Sequence, residues 1–133
     1  MKNPRLLNKK GEALTLWFRE SELQSIKNRL ITSSIRFGDR KDGTFDKKGG
    51  YVVDSTIKLL ILQSDGEFAD FEVRVKIISV ETKQMNELTT EDFRGAPYDQ
   101  NSKTNLCKAF RRYYGEMLCR DELVSVIKFK YID

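Results

Sequence analysis

The sequence predicts an α+β domain: a small curved sheet or barrel of about five to six mainly antiparallel strands, with two or three flanking helices. Three observations carry that expectation. Most apolar residues fall in short alternating runs, the pattern of half-buried strands. Helical periodicity is confined to brief segments near the start and towards the end of the chain. A twisted sheet covered by helices at its ends is the packing solution open to such an order.

The elements follow in turn. Residues 1–12 hold Pro4 and three lysines and are expected to form a flexible arm. "ALTLWF" (13–18) alternates and reads as the first strand. In "SELQSIKNRL" (21–30), Ser21 with Gln24 fits a capping box, and Leu23, Ile26 and Leu30 make a short apolar stripe. "ITSSIRFGDR" (31–40) is a second strand, followed by a charged, glycine-rich loop that runs to Tyr51. "STIKLLILQ" (55–63) and "EFADFEVRVKIISVETK" (67–83) are strands around the turn "SDG", and so predict a hairpin. "TTEDF" (89–93) suggests one helical turn capped by Thr89. "SKTNLCKAFRRYYG" (102–115) is an amphipathic helix with Leu106, Ala109, Phe110 and Tyr113 on one face and Gly115 placed to end it. "ELVSVIKFKYI" (122–132) closes the chain as a strand.

Composition bounds the chemistry. A chain of 133 residues suits one domain with a core of its own. No apolar run is long enough to span a membrane, and the start is not a signal peptide. The chain contains no histidine, which removes Ser-His and Cys-His nucleophile pairs and histidine metal sites. Cys107 and Cys119 lack zinc-site spacing and read as reduced thiols of a cytoplasmic protein, with a single bridge left open. Neither metal nor cofactor is expected, and a monomer is the default. The net charge of +4 is lopsided: residues 1–48 carry 12 Lys or Arg against 6 Asp or Glu. A basic half favours an anionic partner such as RNA or a nucleotide, although a basic surface kept for solubility would look the same.

The second strand raises the functional question. Alternation sets Thr32, Ser34 and Arg36 on one side, two hydroxyls and a guanidinium in line. Such a face suits a phosphate or a base edge. Equally, Arg36 could form an ion pair with Asp39 or Asp92, and the hydroxyls could be ordinary strand surface. Lys27, Arg29, Arg40, Lys41, Lys47 and Lys48 would matter collectively, as a cationic rim. Tyr51, Trp17 and Phe45 are candidates to stack on bases, with Trp17 placed in the core by its alternating strand.

Several strings together resemble the ASCH domain, a member of the PUA-like barrels. "IKNRLITSSIR" (26–36) is similar to that family's "I-x-x-G-x-K-T-x-T-x-R" run at Ile26, Thr32, Ser34 and Arg36. "EDFRGAPYD" supplies Asp92 and Gly95 of a "D-x-x-G" loop, "FRRYYG" resembles its helix end, and "LVSVIKFKY" its closing strand. The resemblance implies a closed PUA-like barrel with a cleft beside strand two. It also implies an RNA-related role, as a binding module or as a hydrolase of acetylated cytidine or RNA. In the hydrolytic members a lysine, a threonine and a downstream glutamate are the catalytic set. Here the threonine position falls on Ser34, the lysine position on Ile31, the preceding lysine on Leu30 and the motif glycine on Arg29. An isoleucine offers neither a lone pair nor a proton, so the amine role is vacant. The resulting expectation is a binding module that uses Lys27, Arg29, Thr32, Ser34, Arg36, Arg40, Lys41, Tyr51 and Asp92. A hydrolase with a rearranged set (Ser34 and Lys27, with Asp92 or Tyr98) and a protein-interaction domain are the alternatives.

Overall fold

A computed structural model describes residues 12–38, 40, 50–114 and 123–132. Five strands form one mixed sheet in the order β1-β3-β4-β5-β2, curled into a half-barrel. They are β1 (Thr15–Arg19), β2 (Ser33–Phe37), β3 (Thr56–Leu62), β4 (Phe68–Gln84) and β5 (Leu123–Tyr131). The predicted hairpin is present: β3 and β4 pair antiparallel around a turn at residues 64–65. β4–β5 and β5–β2 are also antiparallel, while β1 lies parallel to β3. Three short helices accompany the sheet: α1 (Leu23–Lys27), α2 (Thr90–Phe93) and α3 (Lys103–Tyr114).

Alternation explains the first core. Ile57, Leu59 and Ile61 of β3 and Val75 and Ile77 of β4 turn inward with Leu16, Phe18, Ile127 and Phe129. A second cluster lies across the sheet, where Leu106 and Phe110 of α3 pack on Ile35, Val124 and Val126. β5 therefore has apolar cover on both faces, which is why Val124, Val126, Ile127 and Phe129 are all buried. Each such side chain contributes about 1.5–3 kcal/mol of transfer free energy.

Three expectations change. The helix after β1 begins with a 3-10 turn at Glu20–Glu22, and the Ser21–Gln24 capping box does not form. It stops at Lys27 because Arg29 adopts a positive φ of 58°, so Leu30 leaves the apolar stripe and is 66% exposed. The expected arm ends within the fold, where Glu12 bridges Gly50. Residues 1–11, Asp39, Lys41, Phe45, Lys47, Lys48, Gly115 and Cys119 lie outside the described residues. No helix of the described chain is long and apolar enough to cross a membrane.

Candidate functional site: a cleft at the open seam

β1 and β2 are the two edges of the sheet, and a side chain joins them. From β2, Arg36 donates through Nη2 to the Trp17 carbonyl of β1 at 2.7 Å, and through Nε to Ser34 Oγ at 2.7 Å. Its guanidinium lies 5.2 Å from the Phe18 ring centroid and 5.8 Å from that of Trp17. A guanidinium carries five N–H donors, so these two bonds leave others unspent. Among the described residues no carboxylate pairs with it.

Beside Arg36 is a cleft of about 160 Å³. Trp17, Phe18, Ile35, Pro97 and Phe110 form its apolar walls, and Arg19, Glu22, Asp99 and Gln100 complete it. Arg19 reaches across to Asp99 at 2.7 Å and to Glu22 at 3.5 Å, and Arg112 approaches Asp99 at 3.4 Å. Glu22 is only 7% exposed; burial, then the nearby Asp99 charge, push its carboxyl above the usual range, against the opposing pull of Arg19. Gln100 is buried and its Oε1 accepts from the Ile35 backbone N–H at 2.9 Å, which fixes the amide so that Nε2 remains a donor.

The structure gathers only part of the expected site. Arg36 lines the cleft. Ser34 is fully buried, with its hydroxyl holding Arg36 in place. Thr32 is half-buried and packs against Gly95, so the three polar groups do not converge in one hollow. Lys27 lies over the Phe71 ring and Arg29 over Tyr131, neither among the cleft-lining residues. Burial pushes the Tyr131 hydroxyl up to about 12, opposed by Arg29, and that hydroxyl donates to the Ile31 carbonyl at 2.6 Å.

Two expected ligand contacts are structural groups instead. Tyr51 is 4% exposed and its hydroxyl donates to the Thr15 carbonyl at 2.8 Å, so its ring belongs to the core. Asp92 is buried at the start of α2, where it accepts from Lys83 Nζ at 2.9 and 3.0 Å and from the Thr89 backbone N–H at 2.8 Å. Burial alone would raise its carboxyl, but the Lys83 and Thr89 hydrogen bonds outweigh this and hold it below the usual range. Arg40 donates from Nε to the Phe37 carbonyl at 2.8 Å, next to β2. Trp17, expected in the core, is half-buried and lines the cleft.

Of the expected cationic rim, Lys27, Arg29 and Arg40 are not among the cleft-lining residues, and Lys41, Lys47 and Lys48 lie outside the described residues. Among the described residues the charged lining groups are Arg19 and Arg36 against Glu22 and Asp99, two of each sign. Sequence reasoning missed Arg19, Glu22, Asp99 and Gln100. Arg19 and Glu22 sit where a strand gives way to a turn, and Asp99 and Gln100 fall in a segment that reads as a loop. Their partnership exists only in space. Among the described residues no group of acidic and cysteine side chains could hold a metal ion.

No protein-family model matches the sequence, and no curated protein matches it. Solved structures do. An ASCH domain from Lactobacillus crispatus JV V101 superposes with a TM-score of 0.59 at 15% identity, over 88% of this chain and 77% of that one. Protein EF3133 from Enterococcus faecalis V583, assigned to the family model DUF984, gives 0.53 at 13% identity over 83% and 69%. The hypothetical protein PH0355 gives 0.54 at 17% identity over 89% and 97%. The class is thus a small α+β half-barrel. Within that class, the chain has the fold of an ASCH domain, as the sequence resemblance implies.

Proposed function

We propose that the chain is a nucleotide- or RNA-binding module whose ligand enters the cleft between β1 and β2. The observation that carries this reading is the Arg36 guanidinium: anchored by Ser34 and Trp17, set against two aromatic rings, and unpaired with any described carboxylate. A planar cation with free N–H groups beside indole and phenyl rings suits a base or a phosphate. The Gln100 amide and the Glu22 carboxyl add a donor and an acceptor for a base edge. Because the charges of the described lining residues balance, the cleft itself should contribute only a gentle dependence on salt, with about one or two phosphates neutralised.

The chain's single tryptophan lines the cleft, so its fluorescence reports occupancy. Titration with short single-stranded RNA should quench it, and Arg36→Ala should weaken binding about tenfold or more, as loss of a hydrogen bond to a charged group implies. Arg36→Lys retains the charge and serves as the folded control. Absence of quenching with any nucleotide or RNA would defeat the reading.

A second reading keeps hydrolysis of acetylated cytidine, and Glu22 favours it: a buried carboxyl with a raised pKa beside a cleft is suited to moving a proton. Neither Lys27 nor Tyr98 is among the cleft-lining residues, and Asp92 is bound to Lys83. Turnover of acetylated cytidine that disappears in Glu22→Gln would support this reading over binding alone.

A further inference from the structure

The geometry points to a two-nucleotide site, with Trp17 standing between two adjacent hollows that each take one unit of a single strand; this inference rests on the nucleotide-binding reading above. The second hollow, about 510 Å³, shares Trp17 and Arg19 with the cleft and extends to the end of β3 and the turn after it. The two hollows therefore adjoin at Trp17 and Arg19, the residues common to both linings.

The two hollows differ in kind. The cleft is small and holds Arg36, Glu22 and Gln100, enough for one flat base read at its edge. The second exposes mostly apolar surface, with Trp17 and Leu62 in its wall and Ser21, Gln63 and Ser64 around it. Arg19 and Glu20 also line it, and Glu20 accepts from the Ser64 backbone N–H at 3.1 Å, a carboxylate suited to ribose hydroxyls. Its volume falls within the range of small-ligand pockets, roughly 300–1,000 Å³, and would admit a base together with its ribose. Among the described residues the Gln63 amide and the Ser64 hydroxyl make no side-chain hydrogen bond, so both can meet a sugar or a phosphate. Stacking on an aromatic side chain tolerates any base, because every base has a π-face, and proteins that bind single strands stack successive bases in this way.

The test compares a nucleoside monophosphate, a dinucleotide and a hexanucleotide of the same base, titrated into the full chain and followed by tryptophan fluorescence and calorimetry. The dinucleotide should bind at least tenfold more tightly than the monophosphate, and the hexanucleotide within about threefold of the dinucleotide. Ser64→Glu, a substitution in an exposed turn, should bring the dinucleotide-to-monophosphate ratio close to one by repelling the second phosphate. Leu62→Ala should lower the same ratio without adding charge. Equal affinity for monophosphate and dinucleotide would overturn the two-unit site and leave the binding reading intact. Affinity that climbs steadily to the hexanucleotide would overturn it in favour of an extended electrostatic track. A ratio unmoved by both variants would also overturn it, placing the second unit elsewhere. Failure of all three ligands to bind would defeat the underlying reading itself.

Discussion

Asp92 and Glu22 are the two buried carboxyls among the described residues, and their surroundings push them in opposite directions. Asp92 sits at the head of α2 with every oxygen occupied: Lys83 grips both, and Thr89 adds its N–H. Glu22 sits at the seam with a distant Arg19 contact at 3.5 Å and a weak Ser21 hydroxyl at 3.3 Å, and it faces the negative Asp99. The first environment stabilises a charge; the second leaves one incompletely compensated. Closed polar networks of the first kind support the scaffold, whereas unspent groups at a cleft are what a ligand can use.

The largest effect that can break this contrast is at α2. Asp92→Ala should destabilise the protein by about 2 kcal/mol, because it leaves the half-buried Lys83 with only the looser Glu81 contact at 3.7 Å and removes the Asp92 half of the α2 capping box. Urea unfolding measures this, and a loss below about 0.5 kcal/mol would mean the pair is worth no more than a surface contact. The pH dependence has a definite sign. Asp92 titrates lower folded than unfolded, so its contribution is present above the unfolded carboxylate range and lost as the pH falls through the folded value.

Gly95 tests the same region through its backbone. Its φ is +78°, and a Cβ there would overlap Thr32 Oγ1. Gly95→Ala should therefore cost about 2 kcal/mol, from the left-handed backbone and the collision together. Adding Thr32→Ala should recover only the collision part. Full recovery in thermal melts would show that the backbone conformation carries no cost.

The smallest effect sharpens the comparison at the seam. Glu22 titrates higher folded than unfolded, so between those values the folded state binds more protons and stability falls as pH rises. Glu22→Gln should remove that decline, raising the denaturation midpoint slightly at pH 8 relative to the parent and leaving it nearly unchanged at pH 4. A parent profile that stays flat from pH 4 to 8 would contradict the raised pKa.

How much of this was legible in the sequence follows from the range over which each signal acts. β3, β4, β5 and α3 were readable because periods of two and of about 3.6 are written in consecutive residues. The end of α1 was not, since Arg29 turns left-handed without a glycine to announce it. Arg36 is legible as the guanidinium on the polar face that alternation shares among Thr32, Ser34 and Arg36, and it lines the cleft. Its neighbours come from β1, the turn after it, the 3-10 turn Tyr98–Gln100 and α3, segments whose approach is set by tertiary packing alone. Tyr51 and Asp92 misled for the complementary reason: tyrosine and aspartate look alike in sequence whether they meet a ligand or the backbone of a distant strand.

The two margins of the half-barrel also bear on how the molecule keeps its own company. On β2 the outward Ser33 and Ile35 N–H groups are taken by the Gly95 carbonyl and the Gln100 side chain. On β1 the Thr15 and Trp17 carbonyls are taken by Tyr51 and Arg36. A bare strand margin is a template on which another polypeptide can add itself, and the outcome of that is aggregation. Here a hydroxyl, an amide, a guanidinium and the Gly95 carbonyl occupy four of those positions, and each takes one main-chain group away from such pairing.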